Sequence, residues 1–114
     1  MATQREVTCT DKDGKTQTVF VDRVKQQNFW AGSIQTLHGW GKLLVSYNTV
    51  VGLWVNGEVY DCVQSSTTSK QVSKYTGRYS NDDRRTRFYY ENMLADKIEE
   101  LTGLKFNCNR GGVY

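Results

Sequence analysis

Arg84, Arg85 and Arg87 lead directly into Phe88, Tyr89 and Tyr90, the densest grouping of chemically useful side chains in the chain. A guanidinium offers a planar fork that matches phosphate and carboxylate oxygens. An adjacent aromatic face stacks on a nucleobase. If the stretch opens a helix, unpaired backbone N–H groups add donors for an anion. Together these parts would hold a nucleotide or an RNA loop. A plainer reading stands beside that one. Asp83 and Glu91 lie four residues either side of Arg87, so pairing along a helix would account for the same charges. Phe88 and Tyr89 would then extend the core or a dimer contact. Trp30 and Trp40 form a second aromatic pair, set among Gly32, Gly39 and Gly41. They are contact residues if their loop is exposed, and core closure if it is not. The candidate binding residues are therefore Arg84, Arg85, Arg87, Phe88, Tyr89, Trp30 and Trp40.

Catalytic constellations find no support. His38 is the single histidine, and no local signature supplies it with a nucleophile and an orienting carboxylate. Cys9, Cys62 and Cys108 are far apart and odd in number, which suits buried thiols better than a metal site or a disulfide framework. The glycine patterns that cradle phosphates are missing. Asp82-Asp83 and Glu99-Glu100 are carboxylate pairs at expected helix ends, where the first balances the helix dipole and the second faces solvent or a basic partner. No catalytic residue, metal or cofactor is assigned.

The elements that position these residues centre on Lys42–Gln71. Val50–Val55 and Glu58–Val63 flank Asn56-Gly57, a strong signal for a two-residue hairpin turn. That turn fixes the register: Val55 opposite Glu58, Trp54 opposite Val59, Leu53 opposite Tyr60, Gly52 opposite Asp61 and Val51 opposite Cys62. One face then carries Val51, Leu53, Tyr60 and Cys62, the other Val50, Trp54, Val59 and Val63. Both are apolar, so the hairpin is expected to be covered on two sides. Gly52 in mid-strand marks a bulge or a close approach.

Glu6–Thr10 and Thr16–Asp22 read as a first hairpin around Asp13-Gly14. Residues 26–41 fit a short strand and a Gly/Trp-rich loop, or a helical turn, and Lys42–Tyr47 reads as a strand. Thr68 with Gln71 forms a capping-box pattern for a short helix ending at Gly77. A second helix is expected from about Asp82 to Thr102, with Tyr90, Met93, Leu94, Ile98 and Leu101 as its apolar stripe. Lys105–Cys108 reads as a last short strand. The expected class is α+β: one domain over residues 1–114, an antiparallel sheet built of hairpins, and two C-terminal helices packed on one face.

Length and composition agree. The chain has 114 residues, 38% hydrophobic and 24% charged, enough for one self-sufficient core. Seven Tyr, four Phe and three Trp exceed what that core demands, which suggests an interface. A net charge of +3 is too small to argue nucleic-acid binding from bulk charge and argues against a DNA mimic, which would have to be strongly acidic. No stretch is long and apolar enough for a membrane span, and the start has no signal-peptide core.

Two polar segments, Ser46-Tyr47-Asn48-Thr49-Val50-Val51 and Ser65-Ser66-Thr67-Thr68-Ser69-Lys70-Gln71, resemble a pattern of small bacteriophage and prophage proteins. There a strand of the form S-Y-x-T-x-V precedes a hairpin, and S-x-T-T-x-[KR]-H opens the next helix. The resemblance covers residues 43–75. Gly52 stands where alanine is usual and Gln71 where histidine is usual. The pattern implies an accessory protein of a phage and transfers no catalytic residues. The expectation is a non-enzymatic binding protein that blocks a host process from the cytoplasm of an infected bacterium. Its partner would be a host defence protein, as for an anti-CRISPR, or a nucleotide signal held by the arginine–aromatic cluster. The alternative is a nucleic-acid-binding accessory protein using Arg84, Arg85, Arg87, Lys70 and Lys74. A homodimer through the second helix is expected, with Phe88 and Tyr89 at its centre and Arg85 and Asp96 at its rim.

Overall fold

Each strand pairs with its neighbours in sequence. β1 (Gln4–Thr10), β2 (Thr16–Arg23), β3 (Phe29–Thr36), β4 (Gly39–Ser46), β5 (Thr49–Val55), β6 (Glu58–Cys62) and β7 (Arg85–Phe88) form one seven-stranded sheet in that order. The computed structural model describes residues 3–25, 27–62 and 65–113. The first six strands pair antiparallel, and β7 joins β6 in parallel. A parallel step needs a crossover, and α1 (Ser66–Thr76) supplies it; α2 (Glu91–Thr102) follows β7. The class is α+β.

The Asn56-Gly57 hairpin forms with both turn residues in the left-handed region, φ 52° and 78°. Val55, Trp54, Leu53 and Gly52 pair with Glu58, Val59, Tyr60 and Asp61 as expected. Val63, the expected last residue of that hairpin, lies outside the described residues. A bulge then alters the start of β5. Val45 pairs with Val50 but Leu44 pairs with Gly52, so Val51 is the extra residue. The expected faces of Val50 and Val51 are thereby exchanged. Val50 joins Leu53, Val55 and Cys62 in the larger core, while Val51 joins Val59 in the smaller one.

Those two cores lie on opposite faces of the sheet, since side chains alternate along β5 and β6. Leu94, Ile98 and Leu101 of α2 close the larger core with Val7, Val21, Trp30 and Leu43. Val72 and Tyr75 of α1 close the smaller core with Phe29, Ala31, Leu44, Val51 and Val59. The central hairpin is thus covered on two sides. The helices do not share a face, which corrects the expected layering: the crossover α1 takes one side and α2 the other.

Three local expectations change. Residues 29–46 are one long hairpin, β3–β4, with Leu37-His38 at its turn. Its glycines are there for close approach. A Cβ on Gly32 would sit 2.1 Å from the Phe20 carbonyl oxygen, and one on Gly41 2.8 Å from that of Trp54. Trp30 and Trp40 are therefore strand residues rather than loop residues. The second helix begins at Glu91 instead of Asp82. Asp82 Oδ1 accepts from Arg84 N (2.9 Å) and Asp82 O from Arg85 N (3.0 Å), a turn that feeds a strand. Tyr90 becomes the residue before the helix, and Tyr90 and Met93 are exposed, leaving Leu94, Ile98 and Leu101 as the buried stripe. At the C-terminus, the expected strand reduces to one antiparallel bridge, Thr10 with Lys105.

Candidate functional site: a hydroxyl-lined cleft

β7 decides the fate of the arginine cluster. Strand alternation sends Arg85 and Arg87 beneath α1, and parallel pairing sets Arg87 opposite Asp61. Arg85 is fully enclosed and grips Asp61 with Nη2 at 2.6 Å and Nε at 3.2 Å. Its Nη1 donates to Ser73 Oγ (2.8 Å) and the Arg78 carbonyl (3.0 Å). Arg87 Nε lies 3.6 Å from the same carboxylate. Gly52 opposite Asp61 explains the room: a Cβ there would stand 3.2 Å from the Asp61 Cβ. Arg85 is therefore not an open phosphate fork, and the expected helix N-terminus behind it does not exist. Arg84 stays at the surface, 3.5 Å from Asp82. Phe88 is half-buried against the larger core, whereas Tyr89 is 81% exposed.

The tryptophans also separate. Trp30 is buried on the larger core with Arg5 stacked 4.5 Å from its ring centroid. Trp40 belongs to the opposite face and is 69% exposed. The seven candidate residues do not gather into one site.

What the fold does gather is the two polar segments. The β4–β5 turn and the start of α1, about twenty residues apart in sequence, enclose a cleft of about 290 Å³. Ser46, Tyr47, Thr49, Val51, Ser65, Thr68 and Arg110 line it. Ser65 caps α1, its Oγ accepting from Thr68 N at 3.3 Å. The capping residue is thus Ser65, not Thr68. Thr68 is buried and turns its hydroxyl toward Ser65 Oγ (3.2 Å) and Ser46 Oγ (3.4 Å). Ser46 donates to Gln71 Oε1 at 2.8 Å. A hydroxyl has one proton, so Ser46, having given its own to Gln71, accepts from Thr68, which accepts from Ser65. The result is a directed ladder running from the cleft mouth to the Gln71 amide.

The turn itself is strained. Tyr47 adopts φ 53°, a region that bulky side chains rarely enter, and its ring is 54% exposed beside the cleft. Contacts from two sides hold it there. Arg5 donates to the Tyr47 carbonyl and to Asn48 Oδ1 (2.9 Å). The C-terminal segment supplies Gly111 N to Thr49 Oγ1 (3.2 Å) and Val113 N to the Asn48 carbonyl (2.8 Å). That docking carries Arg110 to the cleft wall. Hydroxyls, an exposed phenol and a surface guanidinium suit a polar ligand. They offer no general base, because Ser46 bonds an amide, which cannot take up a proton at neutral pH. His38 lies at the opposite end of β4, in the β3–β4 turn.

In the sequence the two polar segments stood out only as a resemblance and not as a site; their convergence and the parts played by Arg5 and Arg110 were not readable there. Asp61 was placed opposite Gly52 by the hairpin register, but its role as a charge partner was not, since one carboxylate in a strand carries no local signal. Among the described residues no helix is long and apolar enough to cross a membrane. No protein-family model matches the chain, and no match was found among curated proteins or solved structures.

Proposed function

We propose that this chain is a small non-enzymatic binding protein of phage or mobile-element origin that counters a host process, and that the hydroxyl-lined cleft is where it meets its target. The observation that carries this reading is the convergence of Ser46, Thr49, Ser65 and Thr68 around the strained Tyr47. Strain persists only where the surroundings over-determine it, and such positions cluster at ligand sites. The ladder ending on Gln71 favours binding over turnover, because a nucleophilic serine needs a proton acceptor that an amide does not provide. The resemblance to phage proteins supplies the biological setting, an inhibitor of bacterial defence acting in the infected cell.

A homodimer belongs to the same reading, with a narrower surface than the sequence suggests. Arg85 and Phe88 are withdrawn, so Tyr89, Tyr90 and Met93 at the β7–α2 junction would form its centre. Light scattering at high micromolar concentration checks this, and a strict monomer overturns it.

The test of function is plaque formation on hosts carrying defined defence systems, with the parent gene, Tyr47→Asn and Arg110→Ala. The parent is expected to restore plaquing on at least one defended host, and the variants to lose that effect while folding normally. No change across a broad panel, or variants as active as the parent, would refute the proposal.

A further inference from the structure

A second cavity, of about 240 Å³, opens beside α1, between that helix and the Tyr79-Ser80 segment. Its lining is Ser69, Lys70, Ser73, Lys74, Tyr79 and Ser80. Two lysines, an aromatic ring and the serines line it, Ser73 giving its one proton to the Ser69 carbonyl at 2.8 Å, and no carboxylate is among the described lining residues.

Charge is unbalanced around it in two independent ways. Lys70 and Lys74 stand one turn apart on α1, whose sequence, Ser66–Thr76, contains no acidic residue to separate them. Like charges at that spacing repel. Behind the cavity floor, Arg85 Nη1 holds Ser73 Oγ at 2.8 Å and Nη2 reaches Ser69 Oγ at 3.4 Å. Arg85 and Arg87 share the single carboxylate of Asp61, leaving one positive charge in excess. Arg87 Nε is a buried donor without a hydrogen-bond partner. Asp82 of the adjoining turn is engaged with Arg84 at 3.5 Å and Arg78 at 3.9 Å. A bound anion would relieve the lysine repulsion and balance the excess behind the serines. Tyr79, 59% exposed on the wall, adds a flat surface of the kind a base stacks on.

We propose that this cavity binds a phosphate-bearing small molecule of the nucleotide class, with Lys70, Lys74 and the hydroxyls of Ser69 and Ser80 on the phosphate and Tyr79 against the base. The site is separate from the hydroxyl-lined cleft and does not depend on it. It places the anion on α1, where the sequence alone placed it on the arginines.

Calorimetric titration at low salt with a nucleoside 5′-monophosphate, inorganic phosphate and the unphosphorylated nucleoside tests the proposal. The expected order is nucleotide first, phosphate weaker, and no measurable binding of nucleoside. Lys70→Gln/Lys74→Gln should weaken the nucleotide at least tenfold, Tyr79→Ala severalfold, and Tyr79→Phe hardly at all. All three positions are exposed, so the variants should melt like the parent. Absence of nucleotide binding, equal binding of nucleoside, or affinity untouched by the double lysine change overturns the site. Strong binding of a single-stranded oligonucleotide with none of the mononucleotide would also overturn it and favour a nucleic-acid surface.

Discussion

Removing the charge of Asp61 should be the most damaging single conservative change in this protein. Asp61 is buried and serves two guanidiniums, one of them wholly enclosed. Asp61→Asn keeps the shape but leaves Arg85 and Arg87 facing a neutral amide, whose NH2 can only repel their donors. Breaking a buried pair from one side costs about 3–5 kcal/mol, because the surviving charge stays desolvated. A domain of 114 residues has roughly 6–17 kcal/mol in all, so the change should remove a large share of its stability. Arg85→Met should cost less, about 2–3 kcal/mol, since Arg87 lies 3.6 Å from Asp61 and inherits the carboxylate. The double variant Asp61→Asn/Arg85→Met should be more stable than the sum of its parts, because the enclosed Arg85 charge leaves together with its partner. Urea unfolding of the parent and the three variants completes a double-mutant cycle. A cost below about 1 kcal/mol for Asp61→Asn, or strict additivity in the cycle, would show that the pair is not the buried brace described above.

Gly57→Val should destabilise by about 2 kcal/mol or more in urea melts, because a β-branched residue resists the φ of 78° found there. Ser65→Ala should cost on the order of 1 kcal/mol by removing the cap of α1, visible as a lower melting temperature and faster amide exchange at Thr68. Burial pushes the Cys108 thiol up to about 12 from an ordinary value of 9.0, so the native thiol stays protonated where the unfolded chain has ionised. The unfolded state then binds fewer protons than the native state between those values. The stability this gives is complete below about pH 9 and is lost as pH rises toward 12. Cys108→Ala should flatten that alkaline decline in urea titrations at pH 8 to 11.

The central hairpin was legible because its determinants are local. Asn56-Gly57 accepts positive φ, and a two-residue turn leaves one register, so Gly52 meets Asp61 whatever surrounds them. The left-handed ends of α1 at Gly77 and α2 at Gly103 were readable for the same reason. The β3–β4 hairpin was obscured because glycine weakens a strand in isolation. Only contact with β2 and β5 makes Gly32 and Gly41 necessary. The stretch 82–90 misled most. Its acidic start and later apolar spacing read as one helix, yet β6 offered a free edge, and Asp61 across that edge gave Arg85 a partner no helix would have supplied. The candidate site divides along the same line. Sequence marked Ser46, Thr49, Ser65 and Thr68 through their pattern, and it marked Lys70 and Lys74 as basic. Tertiary structure closed one set into a hydroxyl ladder under a strained tyrosine, and set the other on the rim of a second cavity. Turn chemistry acts within a few residues and can be read from them. A buried charge needs a partner brought from elsewhere in the chain, and only the folded sheet decides which one it finds.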